Sequence, residues 1–346
     1  MSAAPGVPEE QEARTDRHRP RPSARLISCS GQALSRQPFP ALPDLPGRGG
    51  LWPPAVQEVW DAAERGRLGQ SIVTAVQGTC TAARMDDAGW ERVWSVAAAR
   101  LLLAAGRLGS ARAAARCALH VPGGSAGSDL ARFAARDVLA RVAMATGDPP
   151  GLAAATHDVA HMMASRRTEV RTEGTWLHVL LRDRARARSE DLGPLAPTPV
   201  RPSTWFGAPP ELCDDAALAR LLTRDGHLAA ARSLLGAAAD RRTRQPHRID
   251  AAATHEAVAG VVERDARPSL RAASLFDRSG RRLAAAAARE DAAAALRAEG
   301  RDSWTDVLTD AISVYDRAGA RADAARARAT LQGRRAERSS AWASRP

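Results

Sequence analysis

The sequence predicts an all-α protein, a tetratricopeptide-like superhelix of antiparallel helical hairpins preceded by a disordered tail. Three observations carry this. Aromatic residues make up only 4% of the 346-residue chain, Ala dominates the 45% that is apolar, and strand-type runs of Val, Ile and Tyr are missing. From residue 55 onward, apolar residues recur with a helical period. A turn signature also repeats: LLLAAGRLGSAR at 101–112 and LLTRDGHLAAAR at 221–232 agree at the Gly, Leu, Ala and Arg.

Residues 1–50 differ from the rest. Prolines at positions 5, 8, 20, 22, 38, 40, 43 and 46 alternate with Arg and Gly, a density that aborts helices and offers little to bury. This segment is expected to be disordered. The helical part opens where Val56, Val59, Trp60 and Ala63 share one face, before Gly66 and Gly69 interrupt it. In the repeated signature, Gly106 and Gly226 each follow an apolar helical run, so each is expected just past a helix end with positive φ. A third turn, at Gly147, is followed by Pro149 and Pro150 at the start of the next helix. Hairpins at about 35 to 40 residues fit the period of such repeats. The Pro-rich stretch 193–210 is too long and stiff for a hairpin loop and is read as a linker between two helical arrays, 51–192 and 211–335, with a short tail at 336–346. Within the second array, Ser303 with Asp306 three residues on is expected to cap the helix containing Tyr315.

Charge and cysteine usage exclude some functions. The net charge is +11, yet all fifty basic residues are Arg and none is Lys. No phosphate-loop lysine, Schiff-base lysine or kinase phosphate-pairing lysine can therefore be present. Many arginines lie three or four residues from a carboxylate; Arg289, Glu290 and Asp291, and Arg321, Asp323 and Arg326, read as solvated helix faces and not as a nucleic-acid surface. Cys29, Cys80, Cys117 and Cys213 are widely spaced with no C-x-x-C pair, which fits small buried apolar residues of a reducing compartment. With no apolar run long enough to span a membrane and no leader pattern, the chain reads as cytoplasmic.

Several catalytic look-alikes fail on context. Gly123–Gly127 matches the G-x-S-x-G of a nucleophile elbow but follows an Ala-rich helix and not a strand, so it is expected to be a loop before a helix capped by Ser128. His157 and His161 stand at zinc-site spacing, but no third ligand is evident and Met162 and Met163 follow at once. Trp90 and Trp94 could form a stacking cage; as large residues among alanines they are better explained as core. The glycines at 47–50 and 123–127 lack a preceding strand and do not read as a phosphate or dinucleotide loop. No catalytic, cofactor-binding or metal-binding residue is assigned, no cofactor is expected, and the chain is expected not to be an enzyme.

Residues 268–331 carry one further signal. Pro268, Arg271, Ala272, Leu275, Gly280, Leu283 and Ala284, followed by Val314, Tyr315, Gly319, Ala320, Asp323, Ala324, Ala325, Arg326 and Arg328, form a two-part pattern. This pattern resembles the last helical repeats of large, MalT-like LuxR-type transcription regulators. Residues 88–245 resemble the same region more loosely. The resemblance implies a non-catalytic sensor or interaction region that binds a protein or peptide partner, or a small-molecule effector. In that family a DNA-binding helix-turn-helix follows the repeats; none is found after Leu331, so direct sequence-specific DNA binding is not expected. The alternative expectation is a truncated or split regulator that acts on transcription only with a separate DNA-binding chain.

Overall fold

A computed structural model of the chain describes residues 54–121, 126–165 and 213–343, together with the helical residues 171, 174–175, 177–178 and 180–181. The described residues form helices and no strands, so the protein is an all-α helical repeat. The first series comprises α1 (Pro54–Glu64), α2 (Leu68–Arg84), α3 (Ala88–Ala104), α4 (Leu108–His120), α5 (Ala126–Thr146) and α6 (Pro149–Met163). The second comprises α7 (Cys213–Arg224), α8 (Leu228–Arg244), α9 (Ile249–Glu263), α10 (Ala266–Ser279), α11 (Arg282–Ala298), α12 (Trp304–Ala318) and α13 (Arg321–Ala343). The expected tail at 1–50, the linker at 193–210 and the residues at 344–346 lie outside the described residues.

Local chemistry explains the hairpins. Gly66, Gly106, Gly147, Gly226, Gly280, Gly300 and Gly319 all have positive φ, and each ends a helix with the left-handed turn that a side chain resists. Asp87 and Asp265 start α3 and α10 by accepting hydrogen bonds from the Trp90 N–H at 3.0 Å and the Arg267 N–H at 2.9 Å. Pro149 opens α6 as expected. The Ser303 expectation is corrected: α12 does begin at Trp304, but Ser303 is in helical conformation and makes no side-chain cap, so the first turn is held by ordinary backbone bonds instead. Ser128 is likewise not a cap, because α5 begins two residues earlier at Ala126; residues 122–125 lie outside the description.

Each helix packs on its sequence neighbours, and small residues set how closely. An added Cβ at Gly78 would lie 2.4 Å from Trp94 Cδ2, so α2 lies against the indole face of α3. At Gly260 it would lie 2.8 Å from the Ser269 backbone nitrogen, which places α9 and α10 in near-backbone contact. Helix α3 is buried on almost every side, from Trp90 to Leu103. Its Arg92 is wholly buried and donates to the carbonyls of Ala118, at 3.2 Å, and Val121, closing the end of α4.

The two series are joined laterally. Helix α1 packs on α9, α3 on α11 and α5 on α13, while the intervening α2, α4, α6, α10 and α12 pack mainly along their own series. Helix ends make this seam. Gly66 faces Ile249 and Ser279; Gly106 faces Arg282, Leu283 and Ala318; Gly147 faces Ala322. The C-terminal ends of α1, α3 and α5 thus meet the N-terminal ends of α9, α11 and α13, an arrangement in which opposite partial charges of the helix dipoles adjoin. One hydrophobic core runs from Val56 through Trp90 and Val138 to Tyr315 and Ala327, across both series.

Candidate functional site

A concavity lies where the seam meets α7. Helix α3 contributes Leu103, α5 contributes Arg141 and Met144, α7 contributes Asp214 and Arg220, and the start of α11 contributes Arg281 and Leu283. Leu180, Tyr315 of α12 and Asp323 of α13 complete a cavity of about 120 Å³ with an apolar body and charged margins.

Two ionic networks hold these walls, the first buried and the second partly buried. In the first, Asp137 accepts from Arg100 at 3.1 Å and from Arg141 at 2.8 Å, and Arg141 extends its two terminal guanidinium nitrogens to Asp214, at 2.8 and 2.9 Å. This chain of contacts ties α3 to α5 and α5 to α7. In the second, Glu290 accepts from Arg326 at 3.0 and 2.7 Å and from the Tyr315 hydroxyl at 3.1 Å, while Arg326 also reaches Asp323 at 2.6 Å. Here α11, α12 and α13 are tied together. A further ion pair joins helices of the two networks: Arg220 of α7 donates to Asp291 of α11 at 2.8 Å.

Such groups are costly to bury singly and tolerable in closed pairs. Burial alone would push the carboxyl of Asp137 up; the guanidinium groups of Arg141 and Arg100 outweigh it and hold it below the usual carboxylate range. Glu290 behaves alike: burial opposes ionisation, and the hydrogen bond and charge of Arg326 prevail. The cavity therefore has fixed, charged margins around an apolar floor. Among its described lining residues there is no Ser, Cys, Thr or His; the hydroxyl of Tyr315 is engaged with Glu290.

Several sequence expectations change here. Glu290, Asp291 and Asp323 do not lie on a solvated face; Asp323 is buried, and all three carboxylates accept from guanidinium groups, those of Glu290 and Asp291 across helices. Arg321 is exposed, as expected. Spacing along one helix could not reveal this for Glu290 and Asp291, because their partners lie on other helices. Cys80 and Cys117 are only partly buried, not core residues, although burial still pushes the Cys117 thiol up.

The remaining look-alikes are accounted for by position. Trp90 and Trp94 are buried and stacked, with ring centroids 6.2 Å apart, as core residues. His157 and His161 lie on the exposed side of α6, and His161 stacks on Phe133 at 6.3 Å. Among the described residues, no group of three or more His, Cys, Asp or Glu side chains could hold a metal ion, and no helix is long and apolar enough to cross a membrane.

No protein-family model, curated protein or solved structure matches the chain.

Proposed function

We propose that this protein is a non-catalytic regulatory scaffold of the kind that the LuxR-type resemblance implies, in which a small effector in the seam cavity changes how the chain meets a protein partner. The observation that supports it is the cavity's position. Its walls come from both helical series and are fastened by ion pairs from separate helices, so a molecule seated there would contact both series at once. At about 120 Å³ it suits a small molecule with an apolar body and not a drug-sized one, whose clefts run to roughly 300–1,000 Å³. The closed ion pairs favour binding over chemistry, since each charged margin already has a partner.

The test is a thermal-melt screen of small metabolites against the parent and against Ala287→Leu, which fills the cavity from α11. A true effector at about 100 times its Kd stabilises the parent by roughly 2.7 kcal/mol and leaves the filled variant unmoved. A screen that moves neither protein, or moves both equally, refutes the reading.

A further inference from the structure

A separate charged cluster lies in the part of the seam where α1 meets α9. Asp61 and Glu64 occupy the last turn of α1; Arg248 and Asp250 flank the start of α9; Arg281 stands at the turn before α11. Arg248 donates to Asp61 at 2.9 Å and touches the Glu64 carboxylate, and Arg281 pairs with Asp250 at 2.7 Å. Glu64 and Asp250 are 3% and 0% exposed, which places both carboxylates inside the joint.

The charges do not balance. Three carboxylates face two guanidinium groups, so the cluster carries a net negative charge when all are ionised and is neutral when one carboxyl holds a proton. Asp250 Oδ1 is also buried with no hydrogen-bond partner, an acceptor that lacks a donor. Helix polarity indicates which carboxyl takes the proton. Asp250 lies at the N-terminal end of α9, where an anion is favoured, whereas Glu64 lies at the C-terminal end of α1, where it is not.

We propose that Asp61, Glu64, Arg248, Asp250 and Arg281 form a proton-operated latch between the two helical series, closed when Glu64 is protonated and loosened when it ionises. Loosening frees the α1–α2 hairpin, which otherwise meets the second series beside turn glycines: a Cβ placed on Gly66 would lie 3.6 Å from Ile249 Cγ2, and one on Gly280 would lie 3.6 Å from Leu68 Cδ2. The latch stands independently of any effector, although Arg281 also lines the cavity and so links the two.

The direction follows from burial. Desolvation pushes the Glu64 carboxyl up to about 7 from an ordinary 4.5; Arg248 and Arg281 oppose this, and Asp250 and Asp61 reinforce it. A carboxyl raised in the folded state contributes stability that is fully present below 4.5, declines as the pH rises toward about 7, and is gone above that. Arg65, in the turn after α1, is exposed, and His247, beside Arg248, is exposed as well.

Hydrogen exchange of the full chain tests the latch. Amides of α1 and α2 should be roughly tenfold less protected at about pH 8 than at about pH 5, after correction for intrinsic rates. Glu64→Gln, which imitates the protonated side chain, should keep the low-pH protection at both values, and His247→Gln should behave as the parent. Carbon NMR of labelled glutamate in the unsubstituted chain gives a readout that does not depend on a variant folding: the Glu64 carboxyl should titrate near neutrality. Protection that does not change with pH, a Glu64→Gln variant that retains the pH dependence, or a Glu64 midpoint below about 5 would each overturn the proposal.

Discussion

Asp137 is wholly out of solvent between Arg100, at 3.1 Å, and Arg141, at 2.8 Å, and the pairing decides how it can be replaced. Breaking a buried ion pair from one side leaves the remaining charge without compensation, which costs about 3–5 kcal/mol. Asp137→Asn should therefore lower the unfolding free energy by about that amount, measured by urea denaturation at neutral pH. Its pH dependence has the opposite sign to that of Glu64. Because the folded carboxyl lies below its ordinary 3.8, the stability it contributes is present above that value and is lost only in stronger acid. The difference between parent and Asp137→Asn should accordingly stay level from about pH 5 to pH 8, the interval over which Glu64 makes the parent itself decline. A gap that closes within that interval would mean that Asp137 is not held ionised by its two arginines.

At the level of helices and turns, much of the fold is legible in the sequence because its causes are local. The apolar spacing of Val56, Val59, Trp60 and Ala63 locates α1, and the repeated signature locates Gly106 and Gly226, with φ of +73° and +81°. What surrounds each turn is not local and could not be read. Nothing lies within 4 Å of a Cβ placed on Gly226, whereas one on Gly106 would meet Leu283 at 3.4 Å and Ala318 at 3.6 Å. Matching turn signatures thus have different duties: one ends a helix, and the other also forms part of the seam. Gly226→Val should cost roughly 1–3 kcal/mol from backbone strain alone. Gly106→Val adds overpacking against α11 and α12, worth about 1–3 kcal/mol more, and its melting temperature should be the lower of the two. Equal melting temperatures would place the seam elsewhere.

For the molecule as a whole, the candidate site was illegible for a physical reason: its ion pairs between helices join residues 36 to 73 positions apart, and periodicity carries no information at that range. Arg141 and Asp214, or Arg220 and Asp291, resemble any surface charges until the helices are assembled. Those long-range contacts also determine how the chain should unfold. A linear repeat array is coupled only through neighbours, so its ends can melt separately. Here a continuous core and several ion pairs cross between the series, and the structure should unfold as one unit. In a background with Trp52, Trp176, Trp205, Trp304 and Trp342 replaced by Phe, which serves as the parent here, Trp60, Trp90 and Trp94, all buried in the first series, report that series by fluorescence, while circular dichroism reports every helix. In urea the two signals should coincide for the parent. Asp214→Ala removes the fork that fastens α5 to α7, and with it two bonds of 2.8 and 2.9 Å, so the circular-dichroism transition should begin at lower urea than the tryptophan transition. Signals that remain superimposed in Asp214→Ala would show that apolar packing alone holds the two series together; signals that separate in the parent would show that the seam does not couple them.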